Sequence, residues 1–181
     1  WVVDGHVDLK KPKDVLTYML ARFRPETDLY IFSNLSMDTL DYAGPEVNLG
    51  SKGIMMGVGE PWRELPGEMP ELPGGVTKAA LYCPGVLLVG GPSFEEDPEF
   101  LDHVLKGLPD WPFVVLCDDP ERAAKSDVRF LWTAFTRFEP AADMRSTGFR
   151  VQRHHIVHEG CVGIDARMKP SYPDELFCDP D

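Results

Sequence analysis

Cysteine is scarce and scattered in this 181-residue sequence: Cys83, Cys117, Cys161 and Cys178 lie far apart, with no C-x-x-C pair. That spacing excludes a zinc knuckle and a thioredoxin-type motif, and a disulfide-stapled secreted domain would be shorter and denser in cysteine. The thiols read as reduced ones of a cytoplasmic protein, two of them inside apolar runs. Long apolar runs are missing as well. Pro, Gly or a charge interrupts every candidate before the ~20 residues that a spanning helix needs, so no membrane span is expected. Basic side chains are the third shortage, with 18 Lys and Arg against 30 Asp and Glu and a formal net charge of −12. Nucleic-acid backbones and anionic lipid both call for clustered Lys and Arg, so neither is an expected partner. The opening Trp1-Val2-Val3-Asp4 has neither an initiator Met nor a signal-peptide pattern. It reads as the middle of a strand, as in a processed product or a piece of a longer protein.

What is present is an ordinary globular composition, 43% hydrophobic and 27% charged, with length enough for one domain or two small ones. Pro61, Pro66, Pro70 and Pro73 precede Gly74-Gly75. Such spacing holds neither a helix nor a central strand, so residues 59–75 read as an extended linker between a unit at 1–58 and a second at 76–181. The two sides are alike in charge, with 7 basic and 12 acidic residues before position 76 and 11 and 18 after it.

They are also alike in pattern. An apolar run ends in Asp4, and Val15, Leu16, Met19, Leu20 and Phe23 then fall on one helical face. In the second unit Phe113-Val114-Val115-Leu116-Cys117 ends in Asp118-Asp119, and Phe130, Leu131, Ala134, Phe135 and Phe138 give the same face. Both helices stop in one phrase, Ala21-Arg22-Phe23-Arg24-Pro25-Glu26-Thr27-Asp28 against Thr136-Arg137-Phe138-Glu139-Pro140-Ala141-Ala142-Asp143, where a proline ends the helix. Extended segments follow, one strand at 29–32 and one or two strands within 148–157, and each unit closes on a Gly-rich stretch, 50–54 and 160–166. The second unit carries an extra front end: strands at 79–83 and 86–89, then a helix starting near Ser93, which forms a capping box with Glu96. The rhythm predicts an α/β fold of two related small units with partly parallel sheets, joined by the Pro/Gly-rich segment.

Three features carry candidate chemistry. The turn Val89-Gly90-Gly91-Pro92-Ser93 is placed to cradle a phosphate, but Glu95, Glu96 and Asp97 fill the next turn and would repel an anion. A plain turn and cap is the preferred reading. His154, His155 and His158, with Glu159 and Cys161 nearby, are the densest set of potential metal ligands. If the stretch 150–159 is extended, His154 and His158 share one face and His155 the other, which splits a zinc site that wants three or four donors. A structural or interface role is preferred there. Asp4 and Asp118-Asp119 end strands where α/β folds place ligands, as general acids or ribose contacts, yet capping of the following segment is the preferred reading. No nucleophile–base set stands out.

With these segments in place, the chain resembles the C-terminal region of the UbiD family of decarboxylases and carboxylases. The resemblance rests on the acidic-ended strand 113–119, the phrase 130–143, and Gly163-Ile164-Asp165-Ala166-Arg167-Met168-Lys169-Pro170. In the first unit it rests on 14–28, Asp38-Thr39-Leu40-Asp41-Tyr42-Ala43 and Leu49-Gly50-Ser51-Lys52-Gly53. It implies reversible decarboxylation of aromatic or unsaturated acids on prenylated flavin mononucleotide (FMN), assisted by Mn or Mg. It also implies that the flavin site lies in a preceding domain of another fold, so that no catalytic or flavin-binding residue carries over to this chain. The role implied here is oligomer assembly and closure over a UbiD-like catalytic domain or subunit, in a homo- or hetero-oligomer. Trp1, Met55, Met56 and Trp62 are expected to meet a partner chain or their own core. A free-standing ligand- or metal-binding regulatory module of the same fold is the alternative.

Overall fold

The computed structural model describes residues 1–174. The elements are β1 (Val2–Val3), α1 (Pro12–Leu20), α2 (Pro25–Asp28), β2 (Leu29–Ser36), β3 (Leu49–Gly57), β4 (Lys78–Cys83), β5 (Val86–Gly90), α3 (Phe100–Gly107), β6 (Phe113–Leu116), α4 (Pro120–Ala124), α5 (Asp127–Phe135), α6 (Pro140–Asp143), β7 (Met144–Gln152) and β8 (His155–Asp165). They form a three-stranded sheet of order β1-β3-β2 and a five-stranded sheet of order β4-β5-β6-β8-β7. Pairs β1–β3, β5–β6 and β6–β8 are parallel; β2–β3, β4–β5 and β7–β8 are antiparallel. This is the expected α/β class with partly parallel sheets.

The internal repeat is structural. The orders β1-β3-β2 and β6-β8-β7 match, each with one parallel and one antiparallel pair. Pro25 and Pro140 do more than stop the preceding helix: each opens a one-turn helix, α2 and α6, because a residue without an N–H costs nothing at the first helical position. Each short helix is closed by the same bond. The Arg24 N–H donates to Asp28 Oδ2 at 2.8 Å, and the Glu139 N–H donates to Asp143 Oδ2 at 2.7 Å.

The repeats interlock. α2 packs on β8 and α6 packs on β3, where the Ala141 N–H donates to Ser51 Oγ at 2.8 Å. One apolar core therefore spans both, with Leu16, Leu20, Phe23 and Met55 beside Val86, Val115, Phe130 and Ile164. On the other face of the larger sheet, α3 covers Leu87, Val89, Val114 and Leu116 with Leu101, Val104 and Leu105. β6 is buried on both faces, as a central parallel strand must be. Residues 59–75 form neither helix nor strand, as their prolines dictate, but they dock on the end of α1. Trp62 donates its backbone N–H to Ala21 O and its indole N–H to the Arg22 and Phe23 carbonyls, while Arg63 donates to Leu20 O and Phe23 O. The Leu20 and Ala21 carbonyls are ones that the end of α1 leaves without helical partners, and those of Arg22 and Phe23 lie just beyond it.

One helix starts later than the sequence suggests. Ser93 and Glu96 make the reciprocal bonds of a capping box: the Ser93 N–H and hydroxyl donate to Glu96 Oε2 at 2.9 Å, and the Glu96 N–H donates to Ser93 Oγ at 3.3 Å. The box closes an isolated turn, and α3 begins only at Phe100. Pro98 has no N–H to continue the ladder, and its ring crowds the turn before it.

Candidate functional site

β2 and β7 end their sheets, so each leaves one edge unpaired, and both strands line one cleft of about 1020 Å³. Its wall is apolar, with the exposed Tyr30, Phe32, Phe149 and Ile156, and its polar rim holds Asp102, Lys106 and Arg145. Arg145 lies 3.5 Å from Glu99 and 3.6 Å from Asp102, so its charge is already matched. His154, His155 and His158 all line this cleft.

The stretch carrying those histidines is a hairpin and not one extended run. β7 and β8 are joined at Arg153-His154, both left-handed at φ 49° and 67°, with Gln152 opposite His155. Two-residue turns with both φ positive match the twist of antiparallel strands. His154 therefore sits in the turn, and strict alternation begins only at His155. His158 is half-buried, with Nδ1 3.0 Å from Ser146 Oγ. The Ser146 hydroxyl donates to Gly148 O at 2.8 Å, so the proton between Ser146 and His158 belongs to the ring. Nδ1–H donates to Ser146 and Nε2 keeps its lone pair. Burial holds His158 below the ordinary histidine pKa, in keeping with a neutral ring. Among the described residues, no group of three or more His, Cys, Asp or Glu is placed to hold a metal ion. The three histidines share a cleft without forming a metal centre from described residues.

The strand-end carboxylates are tied to the scaffold. Asp4 accepts from the Gly59 N–H at 2.8 Å and the Tyr18 hydroxyl at 3.0 Å, and these bonds hold its pKa below the usual range. Asp119 caps α4 by accepting from the Arg122 N–H at 3.1 Å. Asp118 accepts from the Met168 N–H at 2.9 Å and from Arg137 at 3.3 Å.

The glycine turn at 90–93 does not fit a flavin phosphate. The Ser93 N–H is taken by Glu96, and the turn points its carbonyls at a guanidinium: Arg167 Nη1 donates to Pro92 O, Ser93 O and Asp97 O at 2.9, 3.0 and 3.0 Å. A Cβ on Gly91 would lie 2.3 Å from the Phe100 ring, so glycine is there for close packing. Arg167 is 1% exposed and pairs twice with Asp165, Nε to Oδ1 at 2.9 Å and Nη2 to Oδ2 at 2.6 Å. Beside it Lys169 Nζ lies 3.2 Å from Asp143, whose carboxyl burial pushes up in pKa. This buried network escaped the sequence reading. Its only signal was Asp165, Arg167 and Lys169 at alternate positions after a Gly-rich strand.

Cys83, Cys117 and Cys161 are free and buried. Burial pushes the Cys83 thiol up to about 11, Cys117 up to about 12, and Cys161 higher still. Cys178 lies outside the described residues. Of the apolar side chains expected at a partner interface, Met55 belongs to the core instead, at 3% exposure, because β3 lies between α1 and α6. Trp1 and Trp62 are exposed and Met56 is half-buried. Trp62 is flanked by the guanidinium groups of Arg24 and Arg63, 4.4 and 4.6 Å from its ring. No helix among the described residues is long and apolar enough to cross a membrane.

Residues 1–57 match the family of the 3-octaprenyl-4-hydroxybenzoate carboxy-lyase C-terminal domain. Over 186 residues the chain is 39% identical to a Chlamydia pneumoniae protein named as a subunit of 4-hydroxybenzoate decarboxylase, an alignment covering 99% of this chain and 31% of that protein. It is 38% identical over 181 residues to an uncharacterized protein of Chlamydia muridarum, with the same shares covered. The chain thus spans about a third of the length of the curated relatives it matches. No solved structure matches it.

Proposed function

From the match of residues 1–57 and the likeness to the chlamydial relatives, we propose that the chain belongs to the UbiD family, in the C-terminal region of its members, and is the non-catalytic assembly portion, or a separate small subunit, of a prenylated-FMN-dependent aromatic-acid decarboxylase or carboxylase. In this reading a UbiD-like catalytic domain or subunit holds the flavin and a Mn or Mg ion. The flavin supplies the electron sink for breaking or making the carbon–carboxylate bond. This chain's residues do other work: they build a rigid interlocked body that supports oligomerisation and closure over that active site. The observation that carries the reading is the match of residues 1–57 to a carboxy-lyase C-terminal domain, with the same strand order built again in the second repeat. The buried charges at Asp165, Arg167, Asp143 and Lys169 support it, since each is engaged within the scaffold.

The test is carbon dioxide release from 4-hydroxybenzoate with prenylated FMN, measured on the chain alone and with the catalytic part. The chain alone should release none. Release by the chain alone would overturn the division of labour, as would unchanged assembly and turnover of the catalytic part after removal of this chain.

A second reading, a ligand-binding module, is favoured by one observation: three histidines share an aromatic-walled cleft. Metal analysis of the isolated chain, with His155 and His158 both replaced by alanine as the control, checks it. Absence of bound metal, with unchanged stability of the double variant, would remove its support.

A further inference from the structure

We infer that the outer edge of β1 is a docking edge for a two-stranded apolar hairpin from polypeptide of the same protein outside residues 1–181, and that this hairpin also covers α5. The internal repeat carries this inference, independently of the carboxy-lyase reading.

In the second repeat β6 is paired on both sides: β8 on one, and on the other β5, parallel, from Val86 opposite Phe113 to Val89 opposite Leu116. β4 then extends the sheet antiparallel to β5. In the first repeat β1 occupies the place of β6, and its partner β3 occupies the place of β8. The side where β5 would sit is open. Val2 is 43% exposed there, whereas every residue of β6 is buried.

The helices give a second, separate observation. The shared phrase aligns Leu16 of α1 with Leu131 of α5, and Leu20 with Phe135. Leu16 and Leu20 are fully buried, because the turn of the β4–β5 hairpin lies against α1: a Cβ on Gly85 would sit 3.5 Å from Leu20, and Lys13 lies over the Tyr82 ring. Leu131 and Phe135 are 36% and 37% exposed. They border a groove of about 310 Å³ that Trp1 overhangs, its ring 5.3 Å from that of Phe135. Since the repeats interlock reciprocally, each covering the other with its short helix, a hairpin added to β1 would place its turn on α5 as the β4–β5 turn lies on α1. One occupant completes both surfaces. Its inner strand would run parallel to β1 and be apolar on both faces, as Val86, Leu87, Leu88 and Val89 are. The relatives, of which this chain spans 31%, have the length to supply it.

The test is thiol labelling by a maleimide of Leu131→Cys, in residues 1–181 and in the longer polypeptide, with Cys178→Ser as background and Val128→Cys on the same helix as the exposed control. In residues 1–181 both engineered thiols should react. In the longer protein Leu131→Cys should slow by about tenfold or more while Val128→Cys keeps its rate, because a covered site reacts only through local opening. Amide exchange at Val2 and Val3 should slow alongside. Unchanged labelling of Leu131→Cys in the folded longer protein would overturn the inference. So would protection in residues 1–181 that grows with protein concentration, which would identify a second copy as the occupant.

Discussion

Asp165→Asn tests how the buried charges hold this fold. Arg167 is 1% exposed and Asp165 4%, and the guanidinium makes five hydrogen bonds: two to the carboxylate and three to the carbonyls of Pro92, Ser93 and Asp97. Asparagine keeps the volume and one acceptor oxygen. It removes the countercharge and turns an NH₂ toward a guanidinium, which cannot shed its proton in response. The folded state is then left with an uncompensated buried cation, a situation that costs about 3–5 kcal/mol. Urea unfolding followed by tryptophan fluorescence reads this as a fall in midpoint at constant slope, since the surface exposed on unfolding is unchanged. The double variant Asp165→Leu with Arg167→Met removes both charges and should be less damaging than Asp165→Asn alone, although three carbonyls lose their donor. A loss below about 1 kcal/mol for Asp165→Asn would put the pair on the scale of a surface ion pair and refute the reasoning. So would a double variant whose loss equals the sum of its single variants.

The repeated bond in α2 and α6 gives a matched pair of variants. Asp28→Ala should cost about 1 kcal/mol for one lost charge-assisted cap, and Asp143→Ala about 3 kcal/mol, because it also strands Lys169, both measured by the same unfolding assay. Gly57→Ala would place a Cβ 2.4 Å from the Met19 backbone, which cannot swing aside, so thermal unfolding should register a loss of about 3 kcal/mol or a fold that does not form. Native Cys83, Cys117 and Cys161 should resist an aromatic disulfide reagent at pH 8 and react on unfolding, since burial keeps all three protonated. His158 should titrate by NMR below the ordinary value of 6.5. The unfolded chain then binds more protons than the folded one between the two pKa values, so stability falls as pH drops through that window, and His158→Gln should lose this part of the acid sensitivity.

The elements that were legible in the sequence are those whose burial follows a simple period. The stripe Val15, Leu16, Met19, Leu20 is buried as the 3.6-residue spacing requires, and β6 reads as a central strand because all its residues are apolar. Pro25 and Pro140 were readable as stops, but their role as first residues of α2 and α6 depends on Asp28 and Asp143 reaching back to the main chain. Two strands within 148–157 were one of the readings open, but the place of the turn between them was hidden because Arg153 and His154 take left-handed conformations usually advertised by Gly or Asn. Ser93 and Glu96 signalled a cap correctly, while Pro98 moved the helix to Phe100. At the candidate site, the three histidines were visible but not their common cleft, whose other wall comes from β2, more than a hundred residues earlier. The Asp165–Arg167 pair was invisible for a related reason. Its charge balance is local, but its burial is made by the turn at 92–97 folding over it.

Duplication usually suggests two bodies on a string, yet here the repeats are bound by what they exchange. α2 touches its own β3 but packs mainly on β8 of the other sheet, and α6 touches its own β8 but packs mainly on β3 and β2. Leu16, Leu20 and Phe23 are fully buried in a core that also contains Val86, Phe130 and Ile164 of the other repeat. Burying each such side chain is worth about 1.5–3 kcal/mol. A handful of them matches the whole net stability of a typical domain, about 5–15 kcal/mol. Residues 59–75 connect the repeats along the chain, while the shared core connects them in space and uses Trp62 and Arg63 of the same segment to finish α1. The surfaces that the exchange leaves uncovered then gain a specific meaning. β1 and the Leu131/Phe135 face of α5 are open because the part that covers their counterparts, the β4–β5 hairpin, occurs once between residues 1 and 174 while the positions built for it occur twice.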